Sequence, residues 1–266
     1  MRRLAAAVLA AAALAPAPAL GQGDGFELQR ARAKPQSAFF YAKHEPQLNY
    51  RFRGDATDVR IEVVKGKAGK VVRRWVERDA APGERHERVW NGLNEKGRVV
   101  PDGNYSFRLG PAGERTRRVE TISFHGHRFP IPGRHGYREG EGEFGAPRPG
   151  RIHQGKDVWA PCGARLLAAR GGRVARTGFD PRLYGHFVVI DGRGTKTDLF
   201  YVHLSGPPRA DRGDRVRTGE RIGSIGKSGN AQSVGCMLHL EVWPQGFRRG
   251  NPTDPEPKLR AWDTWS

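Results

Sequence analysis

Apolar and polar positions alternate with period two along much of this chain, and no window sustains the 3.6-residue period of a helix. Val59, Ile61 and Val63 alternate with Arg60 and Glu62, which reads as a half-buried strand. Similar short runs at Gln47–Gly54, Val71–Glu77 and Gly103–Gly110 are separated by turn clusters. Their spacing near about ten residues predicts a β-sandwich over residues 38–126. Trp90, Tyr105 and Phe107 are assigned to its core, and His44, His86, His125 and His127 to its strands and turns. Residues 151–255 again read as short strands: Leu166–Val174 split at Gly171-Gly172, Gly185–Gly192, Leu199–Leu204 and Met237–Trp243. The last alternates strictly, so Leu238, Leu240 and Val242 should face a core while Met237, His239, Glu241 and Trp243 share the other face. The pattern predicts an all-β chain, a sandwich followed by a small antiparallel sheet or barrel-like core. Residues 22–37 are polar and aperiodic and read as a flexible leader. Residues 127–150 are rich in Gly and Pro and read as a linker that forms a groove wall, with His135 and Tyr137 as solvated loop positions and a place in that groove as the alternative. Residues 256–266 read as a tail whose Trp262 and Trp265 pack back on the preceding strands.

Residues 1–21, with Arg2, Arg3, an apolar run and small residues before Gly21, have the form of a secretory signal peptide cleaved near Gly21–Gln22. Pro16 and Pro18 interrupt the run before the ~20 residues that a membrane span requires. The expectation is a secreted or cell-wall protein with no stable membrane insertion after processing. The net charge of +18 points to polyanionic partners. Outside a cell these are anionic wall polymers; the absence of an aromatic-interleaved basic stripe speaks against nucleic acid.

Candidate chemistry centres on His153-Gln-Gly-Lys-Asp157, an imidazole and a carboxylate four residues apart. Two later stretches, Tyr201–Leu204 and Met237–Trp243, each carry an imidazole, His203 and His239, among apolar residues. Two histidines and one aspartate supply three N/O ligands and leave a fourth position open, the layout of a catalytic Zn2+ site. Two cysteines, Cys162 and Cys236, lie near Asp157 and His239 in the chain. In an exported protein they predict a disulfide. Closing a loop of about 75 residues, it would stabilise by roughly 4 kcal/mol. The alternative makes one thiolate a metal ligand, since Cys236-x2-His239 has metal-like spacing.

Taken together and in order, His153-x3-Asp157, Leu166–Val174, Gly185–Gly192, Tyr201–Leu204, Gly213–Ala231 and Leu238–Trp243 resemble the lysostaphin-type (LytM-like) zinc endopeptidases, which cut peptide cross-links of bacterial cell walls. The resemblance covers roughly residues 128–255. It implies that His153, Asp157 and His239 bind zinc, that His203 is a catalytic histidine, and that the substrate is a peptidoglycan peptide. One position departs. The family ends its site with H-x-H, and here the first of those histidines is Met237. A thioether cannot take a proton. The sequence therefore predicts a secreted zinc endopeptidase with weakened activity, or one in which Glu241, His135, Tyr137 or a water substitutes. The alternative is a non-catalytic module that keeps the metal and binds the wall or activates another hydrolase. Val89–Leu109 resembles the immunoglobulin-like module of flagellar hook-capping proteins, which makes the expected sandwich immunoglobulin-like.

Overall fold

A computed structural model describes residues 25–66 and 69–266. The expected signal peptide, residues 1–21, lies outside the described residues. Eight strands form the first layer pair: β1 (Glu27–Lys34), β2 (Ser37–Phe39), β3 (Gln47–Arg53), β4 (Thr57–Lys65), β5 (Val71–Ala80), β6 (His86–Val89), β7 (Gly103–Pro111) and β8 (Arg117–His125). They make a three-stranded sheet, β1-β3-β6, and a five-stranded sheet, β2-β8-β7-β4-β5. Only the β2–β8 pairing is parallel. The inward positions of both sheets meet in one core. Leu48, Tyr50 and Phe52 come from β3, Val59, Ile61 and Val63 from β4, and Tyr105, Phe107 and Leu109 from β7. Trp90 is wholly buried among them, 5.0 Å from both Tyr105 and Phe124 by ring centroids.

Two expectations change here. The residues read as a flexible leader contain β1, which pairs with β3 from Glu27↔Arg53 to Lys34↔Gln47 and buries Ala33. It is an edge strand with one exposed side, so charged residues fill its pattern and mask the alternation. His86 does more than decorate a strand: it is buried and bridges the Glu77 carboxylate at 2.7 Å and the Ala81 carbonyl at 2.8 Å.

The second half adds β9 (Gly136–Tyr137), β10 (Pro147–Arg148), β11 (Arg151–Ile152), β12 (Lys156–Trp159), β13 (Arg165–Leu167), β14 (Gly172–Asp180), β15 (Gly185–Gly192), β16 (Asp198–Leu204), β17 (Arg215–Val216), β18 (Arg221–Ser224), β19 (Met237–Trp243) and the helix α1 (Glu256–Asp263). Seven of these strands form an antiparallel sheet in the order β17-β14-β15-β16-β19-β12-β9. One face packs Val188, Ile190, Tyr201, Leu238, Leu240 and Val242 against the β13–β18 pair and α1. The other carries a smaller apolar cluster of Phe187, Val189, Phe200, Val202 and Trp243 beside the candidate site. The sheet is open, not barrel-like: its edge strands β17 and β9 have two residues each and do not pair with one another. The alternation predicted for Met237–Trp243 holds, with Leu238, Leu240 and Val242 in the core.

The residues read as a linker join this core. Phe129 and Ile131 are buried in it, and β9 pairs with β12. The expected tail folds as α1, whose Leu259 and Trp262 are buried one turn apart. Lys156, with no exposed surface, reaches Glu256 of this helix at 2.6 Å. His125 and His127 stack on Trp265 and Trp262, with centroids 4.2 and 4.7 Å apart, so the two halves are joined through them. A buried Arg170 completes the junction: it donates to the carbonyls of Gly126 and Arg193 and lies over the Phe40 ring. Among the described residues no helix is long and apolar enough to cross a membrane.

Candidate metal centre and groove

The site is built on two adjacent antiparallel strands. In the β12–β19 register Asp157 stands directly opposite His239, and His153 precedes β12 in the turn that enters it. Gly155 makes this approach possible: a Cβ there would lie 2.4 Å from the Leu240 carbonyl and 2.7 Å from the His239 ring. His153 Nε2 and His239 Nδ1 lie 2.9 Å apart. Asp157 Oδ1 is 2.9 Å from the latter and 3.3 Å from the former. All three residues are buried, and their ligand atoms lie within 4.8 Å of one another.

The outer contacts decide what these atoms present. His153 Nδ1 donates to the Glu143 carbonyl at 2.7 Å, and His239 Nε2 donates to Glu241 Oε1 at 3.1 Å. With these outer bonds made, the inward nitrogen of each ring is the one left to bind a cation beside the Asp157 carboxylate. Three electron-pair donors converging on one point need a cation, and two nitrogens with one oxygen, each ring oriented by an outer acceptor, suit a divalent transition metal. The same contacts make this point attract positive charge, either a proton on the inward ring nitrogens or a metal ion in its place. Burial favours the neutral Asp157, but hydrogen bonds from His153 and His239 outweigh it and hold the carboxyl well below the usual range. Burial likewise disfavours a charged His239, yet its bonds to Asp157 and Glu241 raise it to about 9.

His203 reaches the same cleft by an irregular route. Strict alternation from Leu199 and Tyr201 would place it in the core. Instead His203 has φ +64°, in the left-handed region, and the β15–β16 register slips between His186↔Leu204 and Val188↔Tyr201. This bulge returns Leu204 to the core and leaves His203 lining the cleft. Its Nδ1 donates to the Ser228 carbonyl at 2.8 Å, so Nε2 carries the free lone pair. Burial pushes this imidazole down to about 4, and the charge of His239 adds to that effect.

Met237 lines the cleft too, two positions before His239 on the same face. The groups named as possible stand-ins for an imidazole there do not serve. Glu241 is in the cleft, but its second oxygen accepts from Trp243 Nε1 at 2.7 Å while the first holds His239. His135 bonds the Gly133 carbonyl and Asp263, and Tyr137 packs under the Arg260 guanidinium; neither lines the cleft.

Arg138 is the main residue that sequence reasoning missed. Its Nη1 donates to Asp157 Oδ2 at 3.2 Å, which leaves Oδ1 facing inward, and its Nη2 reaches Glu141 at 2.6 Å. Residue 138 sits in a loop without periodicity, so no pattern marked it. The cleft has a volume of about 250 Å³. One wall comes from residues 138–154 and the other from Leu183, Tyr184, Asn230, Ala231 and Val234. Cys162 and Cys236 form a disulfide at the margin of the site, with Cα atoms 5.2 Å apart, so neither thiolate is a ligand.

A model of the family described as Peptidase family M23 matches residues 151–255. The chain is 29% identical over 147 residues to the L-Ala--D-Glu endopeptidase of Bacillus subtilis (strain 168), covering 52% of this chain and 44% of that protein. It is 29% identical over 111 residues to the peptidoglycan DD-endopeptidase ShyC of Vibrio cholerae serotype O1, covering 42% of this chain and 24% of that one. The chain thus spans less than half the length of either curated relative. Among solved structures, the catalytic domain of the antimicrobial peptidase lysostaphin from Staphylococcus simulans aligns at 26% identity and TM-score 0.40, over 48% of this chain and 92% of that one.

Proposed function

We propose that residues 151–255, a Peptidase family M23 domain, work as a zinc-dependent endopeptidase on the peptides of bacterial cell-wall peptidoglycan. The observation that carries this reading is the convergence of His153 Nε2, His239 Nδ1 and Asp157 Oδ1 on one point. Zinc held by these three residues would polarise a peptide carbonyl and acidify water. The chain's own residues do the rest. Glu143 and Glu241 hold the two ligand rings in the tautomers that face inward. Arg138 keeps one oxygen of Asp157 occupied, so the other is directed at the centre. His203, neutral and with Nε2 free, takes a proton from the attacking water at Nε2, and the N–H so formed then donates to the developing oxyanion or passes its proton to the leaving amine. Met237 supplies no second proton carrier, so the reaction runs slowly. The names of the two curated relatives support the substrate class. The residue 1–21 pattern and the Cys162–Cys236 bridge support export to an oxidising compartment outside the cytoplasm.

Zinc-loaded protein incubated with peptidoglycan should release new amine termini, and a chelator should stop it. No release from either the wild type or an M237H variant would sink the reading. Met237 also favours a second one, a metal-retaining module that binds the wall or activates another hydrolase without turnover. Wall binding that survives chelation, with no amine released, would select it.

A further inference from the structure

Two of the three arginines that line the groove pair with none of its carboxylates. Arg138, Arg148 and Arg151 all line it. Arg138 is spoken for, paired with Asp157 and Glu141. The other two are placed differently. β10 and β11 form a two-residue hairpin around Pro149-Gly150, with Gly150 at φ +70° as such a turn requires. In its register Arg148 stands directly opposite Arg151. Directly opposed residues share a face of the ribbon, and like charges in that arrangement are destabilising. Among the described residues neither guanidinium has a carboxylate at ion-pair distance. Arg148 donates only to the carbonyls of Glu141 and Pro147, contacts that aim the fork without neutralising it.

We propose that Arg148 and Arg151 form a carboxylate-binding subsite beside the candidate metal centre, and that the peptide accepted by this groove bears a free carboxylate close to the bond held over the centre. The proposal rests on the reading that the groove takes a peptide. A carboxylate is the group that resolves the repulsion, because it accepts two parallel N–H bonds from a planar guanidinium and can be shared between two of them. The facing wall, from Leu183, Tyr184, Ala231, Val234 and Met237, offers apolar surface to small uncharged side chains of the same peptide. The occupant is therefore acidic on one side and small and apolar on the other.

The test is binding, so it does not depend on turnover. A fluorescent tetrapeptide containing alanine and glutamate, with its carboxylates free, is compared by anisotropy with its counterpart carrying glutamine and a C-terminal amide. At low salt the wild type should bind the acidic peptide about tenfold more tightly, and Arg148→Gln with Arg151→Gln should reduce that preference to about twofold or less. Equal binding of both peptides by the wild type overturns the proposal. So does a preference that survives in the glutamine variant, since the surplus charge elsewhere on the molecule would then supply it. Arg148→Lys with Arg151→Lys keeps the charges but not the planar forks and should lose a clear part of the preference; a preference left undiminished there would assign it to point charge alone and also overturns the assignment. Loss of zinc-dependent cleavage with the carboxylate preference intact would sink only the hydrolase reading.

Discussion

Replacing Met237 by histidine tests the central chemical claim most directly. Successive same-face positions on a strand lie about 6.6 Å apart, so an imidazole at 237 would project beside His239 into the cleft that His203 also lines. The backbone need not move: the Met237 N–H already donates to the Gly226 carbonyl at 3.0 Å, and the residue sits opposite Trp159 in the register. Met237 is 2% exposed, so the new ring enters a nearly closed site. If one ring nitrogen is left without a partner there, the folded state loses about 1–3 kcal/mol. Against this stands the catalytic gain. A positioned acid or base contributes about 10²–10⁴ in rate, equivalent to roughly 3–5 kcal/mol of barrier. The stability loss lowers the folded fraction little in a protein stable by about 5–15 kcal/mol, so the rate gain should dominate. The assay is amine release from peptidoglycan by zinc-loaded M237H and wild type at matched metal content. M237H should be faster by about two to four orders of magnitude. His203→Ala in the M237H background should remove most of that gain. An M237H protein that folds, carries the same zinc and turns over no faster than the wild type would refute the argument that a missing proton carrier limits this site.

Three further outcomes follow from the contacts described. Glu241→Gln removes the carboxylate that accepts from His239 Nε2 at 3.1 Å and should weaken zinc binding about 10–100-fold in a competition titration with a chelating dye; unchanged affinity would show that Glu241 does not orient the ligand. Replacing Cys162 and Cys236 by serine frees a loop spanning a sequence separation of 74 and should cost roughly 4 kcal/mol in denaturant unfolding, with an effect under about 1 kcal/mol contradicting the loop-entropy account. Burial, with Arg170 and Lys258 adding to it, pushes His127 down to about 3. The unfolded chain takes up a proton at this residue below its ordinary value near 6.5, while the folded protein resists it, so stability is complete above that pH and falls as pH drops toward 3. From pH 7 to pH 5 the loss from this group should be about 2 kcal/mol, and His127→Gln should flatten the profile; parallel profiles would refute it.

What was legible in the sequence depended on regularity. β19 alternates without a fault, so both its core residues and the face carrying His239 could be read from period two alone. His153 and Asp157 were readable as a motif because the same turn and strand start hold both. β1 was not, since Glu27, Gln29, Arg30, Arg32 and Lys34 make a strand exposed on one side look like a polar leader. α1 was not, because eight residues with Leu259 and Trp262 as its buried contacts give too short a period to see, and its stability comes from packing on the sheet. The 127–150 segment was read as a groove wall, but the roles of Arg138, Arg148 and Arg151 along that wall were invisible, because they act through contacts with Asp157 and with one another that no local pattern encodes.

His203 shows where pattern and resemblance part company. Period two assigns it to the core with Leu199 and Tyr201, and only the resemblance placed it at the site. The structure reconciles the two by holding a non-glycine residue at positive φ, a conformation that costs on the order of 1–3 kcal/mol and persists only where its surroundings over-determine it. Those surroundings are on both sides of the bulge. The His203 N–H donates to the Tyr184 carbonyl at 3.0 Å and its ring donates to the Ser228 carbonyl, while Ser228 Oγ donates to the Leu204 carbonyl at 2.6 Å and accepts from the His186 N–H. Leu204, fully returned to the core, anchors the far end. A scaffold role alone gives no reason to bear that strain at an imidazole, since a regular strand would bury an apolar residue there at no conformational cost. The strain is intelligible if position 203 must present a ring nitrogen to the cleft, which is the part the proposed reaction assigns to it.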